Sequence, residues 1–193
     1  HGAPGNYFFP YNGNWSIPTT GLRVKWNVLP DGEPDEYLTD RLTDEAIRFL
    51  RETRDQPFFL YFPEFAVHSP RESKPEDLAY FETKPNRGWN GHSMPEYAGV
   101  LRGLDNSVGR VVKTLHELGI AENTLLIFMT DNGTTAGWID RKSGYEYYNA
   151  GMRGGKTSVH EGGCRVPLFI RWPLKLTEPQ VVRQIASHID LYP

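Results

Sequence analysis

The sequence has 193 residues, of which 38% are hydrophobic and 23% charged, a composition that is typical of a globular chain and excludes disorder as its overall state. Lys and Arg total 21 against 24 Asp and Glu, so there is no excess of positive charge to bind a nucleic-acid backbone. The apolar runs fall far short of the roughly 20 residues of a membrane-spanning helix. The single cysteine, Cys164, excludes an internal disulfide and a multi-cysteine zinc site.

In the first part of the chain, composition and apolar spacing predict a loop-rich segment followed by one helix and one strand. Residues 1–34 are rich in Gly, Pro, Asn and aromatic residues without a helix or strand period, which indicates an irregular segment. From Asp35 to about Thr53, apolar residues recur at helical spacing and charged residues fill the other positions, so we expect a helix. The short run Pro57–Phe62 is apolar throughout, which predicts a strand covered on both faces.

In residues 35–193, the core of the chain, the apolar pattern predicts a strand, a helix and a strand in that order. An apolar stripe of helical period runs over Tyr97–Leu118, and Gly119 follows as a natural stop. We expect the apolar runs Thr124–Met129 and Arg165–Arg171 to be strands. A helix between two strands predicts parallel pairing through a right-handed crossover. The expected architecture is therefore an α/β fold with a mostly parallel central sheet flanked by helices on both faces.

Polar residues follow the predicted strands, at the edge of the sheet where parallel strands place their ligand sites. His68 follows the first strand, and Asp131 and Asn132 follow the second. A carboxylate and an amide oxygen are hard donors suited to Ca²⁺ or Mg²⁺. Taken alone, the sequence Asp-Asn-Gly favours a turn over a metal site, and a histidine such as His68 is more often structural than catalytic.

The glycine-rich loop Met152–Gly163 supplies a positive charge beside closely approachable backbone. Gly154 and Gly155 allow that approach and Lys156 adds the cation, a combination suited to phosphate or sulfate. Residues Ala150–Thr157 also come close to the nucleotide-binding pattern G-x-x-x-x-G-K-[ST], with Ala at the first Gly position. That alternative needs a strand before the loop and a helix after it, which the flanking residues do not predict. A solvated surface loop is a further alternative.

Four blocks of sequence occur in a distinctive order: PFFLYFPEFAVHSP, EYAGVLRGLDNSVGRVVKTLHELGIAENTLLIFMTDNG, MRGGKTSVHEGGCRVPLFIRWP and SHIDLYP. In order and spacing they resemble the sulfatase family of the alkaline phosphatase superfamily, from about Asp35 onward. The resemblance implies an alkaline-phosphatase-like fold and hydrolysis of sulfate esters, including those of carbohydrates. It implies that Asp131 and Asn132 are ligands of Ca²⁺, with Mg²⁺ less favoured. It also implies that His68 and Lys156 are catalytic residues that bind the sulfate group, with His68 a candidate proton donor.

The resemblance also indicates what this chain lacks. In the family a formylglycine, made from Cys or Ser in a C/S-x-P-S/A-x-R signature, attacks the sulfur. Here Ser16-Ile17-Pro18 is followed by Thr19, and Cys164 is not followed by the required Pro, so neither is the converted residue. The family's paired N-terminal aspartates are absent too, and two donors are too few for Ca²⁺, which takes about 6 to 8 oxygens. We expect residues 1–193 to be a partial catalytic domain that is inactive by itself.

The same residues are compatible with other functions. A phosphomonoester, phosphodiester or phosphonate hydrolase of the same superfamily is the nearest, although those enzymes commonly have a zinc-binding His where this chain has Asn132. Nucleotide binding through Ala150–Thr157 and a non-catalytic binding module are the others. The resemblance implies a small-molecule or carbohydrate sulfate ester as partner and a periplasmic or secreted location. Composition and apolar run length predict no nucleic-acid partner and no membrane span.

Overall fold

The computed structural model describes residues 5–11, 29, 32–84, 92–135, 139 and 144–191. None of the helices in these ranges is both long and apolar enough to cross a lipid bilayer. The helices are α1 Leu38–Thr53, α2 Pro75–Glu82, α3 Pro95–Glu117 and α4 Glu161–Cys164, the strands are β1 Leu126–Met129 and β2 Leu168–Arg171, and 3₁₀ turns cover Ala121–Asn123 and His188–Leu191.

Helix α1 confirms the first predicted helix, with a later start. Asp35 has a φ of 63°, in the left-handed region that a continuing α-helix excludes, and the helix begins at Leu38. Its buried apolar residues recur at helical spacing and form the side that packs on α3. These residues are Leu38, Ala46, Ile47 and Leu50.

Helix α3 confirms the second predicted helix to within two residues at its start and one at its end. Gly119 follows it with a φ of 72°, the C-terminal glycine that the sequence predicts. A Cβ on Gly99 would overlap the side chain of Ser73, so α3 lies close against the segment that leads into α2. Helix α2 itself is an element that the sequence analysis did not predict.

The two strands pair antiparallel, with Leu126 opposite Arg171 and Met129 opposite Leu168. They confirm the second and third predicted strands, which end where expected and begin two and three residues later. The predicted parallel pairing of Pro57–Phe62 is wrong, because in the described part of the chain the sheet has only β1 and β2. The segment Pro57–Phe62 is extended but pairs with neither of them.

Exposure alternates along Pro57–Phe62, so the prediction that both of its faces are covered is also wrong. Phe58, Leu60 and Phe62 pack against a cluster formed by α1, α3 and the turn after α3. Phe59 and Tyr61, between them, are 88% and 77% exposed. The run is apolar throughout, yet the described residues supply a covering layer on one face alone.

A second core cluster lies at the N-terminal end of α1. Tyr7, Tyr11 and Tyr37 are buried in it together with Leu38 and Val100. Phe65, Ala66 and Val67, directly before His68, pack against its edge. The described residues of the loop-rich segment therefore form part of the core on which the His68 segment rests.

Candidate functional site

His68 lies in a turn that ends the extended segment after α1, and its side chain is exposed. Its backbone N–H donates to the Phe65 carbonyl at 2.7 Å. Its Nδ1 lies 2.8 Å from the Ser69 carbonyl oxygen. Since a carbonyl only accepts, Nδ1 carries the hydrogen and Nε2 is the nitrogen left to exchange a proton with a ligand.

The Tyr7 hydroxyl forms hydrogen bonds with both ends of this turn. The sequence analysis missed this residue. Its hydroxyl lies 2.9 Å from the Phe65 carbonyl oxygen and 2.9 Å from that of His68. Tyr7 belongs to the loop-rich segment, where no periodicity marks a core residue. Its one sequence signal is that it opens a run of aromatic residues, Tyr-Phe-Phe.

Glu64, four residues before His68, is a half-buried carboxyl that the sequence analysis also missed. The Ser107 hydroxyl donates to its Oε1 at 2.6 Å, and Thr43 Oγ1 lies 2.7 Å from Ser107 Oγ. The other oxygen, Oε2, is buried without a hydrogen-bond partner among the described residues. Burial raises the pKa of the Glu64 carboxyl from 4.5 to about 7, and the hydrogen bond from Ser107 opposes this shift.

The raised pKa of Glu64 predicts that stability falls as pH rises. Its folded-state pKa of about 7 lies above the unfolded value of 4.5, so the folded chain holds the proton more tightly. The stabilisation is complete below about pH 4.5 and is lost as pH rises through 7, by on the order of 3 kcal/mol for a shift from 4.5 to about 7. Urea unfolding from pH 4 to 8 gives the free energy of unfolding of the wild type and of Glu64→Gln at each pH. The difference between the two measures the contribution of Glu64.

The exposed Glu178 provides the matched control for this titration. Glu178→Gln keeps the wild-type pH dependence of the unfolding free energy, because it removes no buried carboxyl. An identical pH dependence in wild type and Glu64→Gln would contradict the assignment to Glu64.

Asp131 and Asn132 lie just after β1, separated from it by Thr130, and the Lys156 loop packs beside them. The Lys156 N–H donates to the Thr134 carbonyl at 2.6 Å, and the Gly133 N–H donates to the Gly163 carbonyl at 2.8 Å. A Cβ on Gly133 would overlap the carbonyl oxygen of Gly162. These two loops therefore touch through their backbones, which glycine permits.

Two side-chain contacts, one from Arg71 and one from Asn149, link the segment after His68 with the Lys156 loop. The Arg71 guanidinium, three residues after His68, lies 4.8 Å from the centre of the Tyr147 ring, a stacking distance for a cation on an aromatic face. Two residues after Tyr147, the Asn149 amide donates to the Gly154 carbonyl at 2.8 Å. Between described residues, no hydrogen bond or ion pair connects His68 directly with Asp131, Asn132 or Lys156.

The donor atoms after β1 fit the kind of ion expected but not the number of its ligands. Asp131 is exposed and Asn132 half-buried, and both offer hard oxygens. Within the described ranges, no group of three or more His, Cys, Asp or Glu side chains is placed to hold a metal ion. These residues would supply two of the roughly six to eight oxygens that Ca²⁺ takes.

The backbone around Lys156 does not support the nucleotide-binding alternative. That site requires a helix that starts at the Lys-Thr pair of the motif. Here Thr157 has a φ of 74°, which a helix excludes, and the four-residue helix α4 begins only at Glu161. Before the loop, the described residues hold an isolated bridge at Glu146 rather than a strand.

Comparison with known proteins shows one family. The family model described as Sulfatase matches residues 5–193. The chain is 37% identical over 166 residues to mouse (Mus musculus) steryl-sulfatase, which covers 83% of the chain and 24% of that protein. It is 30% identical over 203 residues to human (Homo sapiens) N-acetylgalactosamine-6-sulfatase, which covers 99% of the chain and 36% of that protein.

A solved structure shows the same likeness. Ps i-CgsB in complex with k-i-k-neocarrahexaose matches with a TM-score of 0.63 and 31% identity, over 90% of this chain and 37% of that one. This likeness confirms the α/β, alkaline-phosphatase-like fold class. The chain spans about a quarter to a third of the length of the curated relatives it matches.

Proposed function

This chain belongs to the sulfatase family, and on that basis we propose that the protein containing it hydrolyses sulfate esters. The observation that carries the proposal is the packing of the Lys156 loop onto the residues that follow Asp131 and Asn132. A cation-binding pair and an anion-binding lysine on touching loops suit a sulfate group that bridges them.

In the proposed reaction the described residues bind the sulfate and move one proton. Lys156 holds sulfate oxygens through its ammonium group, which has no ion pair or hydrogen bond with another described residue. His68 in its imidazolium form donates the Nε2 proton to the leaving oxygen, and it keeps its Nδ1 hydrogen on the Ser69 carbonyl. The attacking group, a formylglycine, comes from outside these residues, because no C/S-x-P-S/A-x-R signature occurs in them.

The metal we propose is Ca²⁺, with Mg²⁺ as the less favoured ion. Sulfatases generally depend on a metal ion. Asp131 and Asn132 both offer oxygen, whereas a nitrogen ligand would favour Zn²⁺. The remaining ligands would come from outside the described residues. When bound, the ion neutralises charge on the sulfate group.

We propose further that residues 1–193 form part of a longer catalytic domain. The chain covers only part of each relative, and Phe59, Tyr61 and Phe169 expose large apolar side chains. An apolar groove of about 440 Å³ also lies between α3 and the sheet, lined by Leu104, Val108, Val112 and Phe128 among others. A covering layer from the same domain would bury this surface. The 193-residue chain alone then releases no sulfate.

The substrates we propose are sulfated carbohydrates. N-acetylgalactosamine-6-sulfatase is named for a sugar sulfate, and the matched solved structure is a complex with a neocarrahexaose. Steryl-sulfatase is named for a sterol ester, so steryl sulfate is the comparison substrate. We propose a periplasmic or secreted location, because Ca²⁺, the proposed metal ion, is abundant there.

The experiment that tests the proposed function compares release of sulfate and phosphate by the whole protein. We expect 4-nitrophenyl sulfate and a sulfated oligosaccharide to be hydrolysed, and 4-nitrophenyl phosphate to be at least about 100-fold slower in kcat/KM, because Asn132 replaces the His typical of zinc-dependent phosphatases. The 193-residue chain alone serves as the inactive control. Faster phosphate than sulfate release would contradict the proposal and favour a phosphoryl-transfer enzyme.

A further inference from the structure

We propose that Tyr7 is a positioning residue that holds the His68 turn in place for sulfate ester hydrolysis, an inference that rests on the proposed function. Tyr7 is fully buried, at 0% exposure. Its hydroxyl lies 2.9 Å from the carbonyl oxygens of both Phe65 and His68. Because both acceptors are carbonyls, the phenol is the donor and its hydrogen is shared between the two ends of the turn.

Tyr7 is itself held on three sides, so it can transmit the position of α1 to the turn. The Leu38 N–H at the start of α1 donates to the Tyr7 carbonyl at 2.8 Å. The Tyr7 N–H donates to Glu72 Oε2 at 2.7 Å, just beyond the turn. Its ring stacks on Tyr37 with centres 5.8 Å apart, and the Tyr37 hydroxyl donates to the Glu72 carbonyl at 3.0 Å.

His68 depends on this support because its imidazole has little of its own. The ring is exposed, and its one hydrogen bond among the described residues runs from Nδ1 to the neighbouring Ser69 carbonyl. The direction of Nε2 is therefore set by the backbone of the turn. Catalytic geometry tolerates little error, since a displacement of about 1 Å can cost roughly 100-fold in rate.

The Tyr7 hydroxyl stays a donor over the whole working range of pH. Burial, with the neighbouring Tyr37, Glu64 and Glu72, raises the pKa of Tyr7 well above its ordinary value. The support it gives to the turn therefore does not change with pH.

The test removes this hydroxyl in the whole protein with Tyr7→Phe and compares it with Tyr11→Phe. Tyr11 is equally deep in the same cluster at 2% exposure, but its hydroxyl donates to Glu36 Oε1 at 2.5 Å, away from the turn. We expect Tyr7→Phe to lower kcat about tenfold with KM within about twofold. Hydrogen exchange of the His68 amide should accelerate about tenfold relative to the Val111 and Leu115 amides of α3. Tyr11→Phe should change neither kcat nor KM, nor the exchange of the His68 amide relative to the α3 amides.

Several outcomes decide the inference. If amide exchange in Tyr7→Phe accelerates equally at His68 and in α3, Tyr7 contributes to general stability alone and the inference is overturned. Values of kcat, KM and His68 amide exchange in Tyr7→Phe that equal those of Tyr11→Phe would also overturn it. If the wild-type protein hydrolyses no sulfate ester, the proposed function fails, while the exchange of the His68 amide still decides the role of Tyr7 in holding the turn.

If Tyr7→Phe does not fold, proton NMR of the wild type decides instead. The Tyr7 hydroxyl proton should exchange slowly with water and show cross-peaks to backbone protons of Phe65 or His68. A Tyr7 hydroxyl proton that exchanges with water too fast to be observed, as in a solvent-exposed phenol, would overturn the inference.

Discussion

Replacement of Lys156 by Met in the whole protein is expected to lower kcat/KM for sulfate ester hydrolysis by roughly 1,000-fold. Lys156 is the proposed cation on the sulfate oxygens, and loss of one charged group that stabilises a transition state costs on the order of 3 to 4 kcal/mol. Steady-state kinetics with 4-nitrophenyl sulfate measure the effect. Met keeps an unbranched side chain of similar length and removes the ammonium group, with its charge and its N–H donors.

Lys175→Met provides the control for Lys156→Met. Lys175 is an exposed lysine in the turns after β2, so the same change in net charge there should leave kcat/KM within about twofold. Near-normal kcat/KM in Lys156→Met would contradict the role assigned to this lysine. A loss in Lys175→Met of the same size would show an effect of net charge instead.

Replacement of His68 by Gln is expected to depend on the leaving group of the ester. A sugar hydroxyl needs a proton as it leaves, so its sulfate should lose about 1,000-fold in kcat. The 4-nitrophenolate ion leaves without one, so 4-nitrophenyl sulfate should lose at most about tenfold. The ratio of the two losses, measured on the same protein samples, separates proton donation from binding of the sulfate group.

His188→Gln is the matched control, because His188 is exposed in the last 3₁₀ turn and should change neither substrate by more than about twofold. An equal loss on both substrates in His68→Gln would exclude His68 as the proton donor and leave it as a group that binds sulfate.

The helices and strands were predictable where one physical pattern dominates. The apolar stripes of α1 and α3 follow from amphipathic burial, and Gly119 marks the end of α3 because a left-handed φ favours glycine. That Asp131 and Asn132 come just after a strand was likewise predictable, because an apolar run precedes them in the sequence.

The rest depends on contacts between distant parts of the chain, which composition and periodicity do not record. Strand direction is one such case: the apolar run of β2 is compatible with either direction, and the structure pairs it antiparallel with β1. Tyr7 is another, because its burial comes from α1 and the His68 turn rather than from its neighbours in sequence. Glu64 is a third, since its raised pKa requires the burial provided where α1 and α3 meet.

A crystal structure of the whole protein, grown with Ca²⁺ and a slowly hydrolysed sulfate ester, would show whether these residues share one sulfate group and one cation. We expect one sulfate group within hydrogen-bond distance of both Lys156 Nζ and the His68 imidazole, and one Ca²⁺ ligated by oxygens of Asp131 and Asn132. A sulfate group bound away from Lys156 and His68, or a cation that Asp131 and Asn132 do not touch, would contradict it.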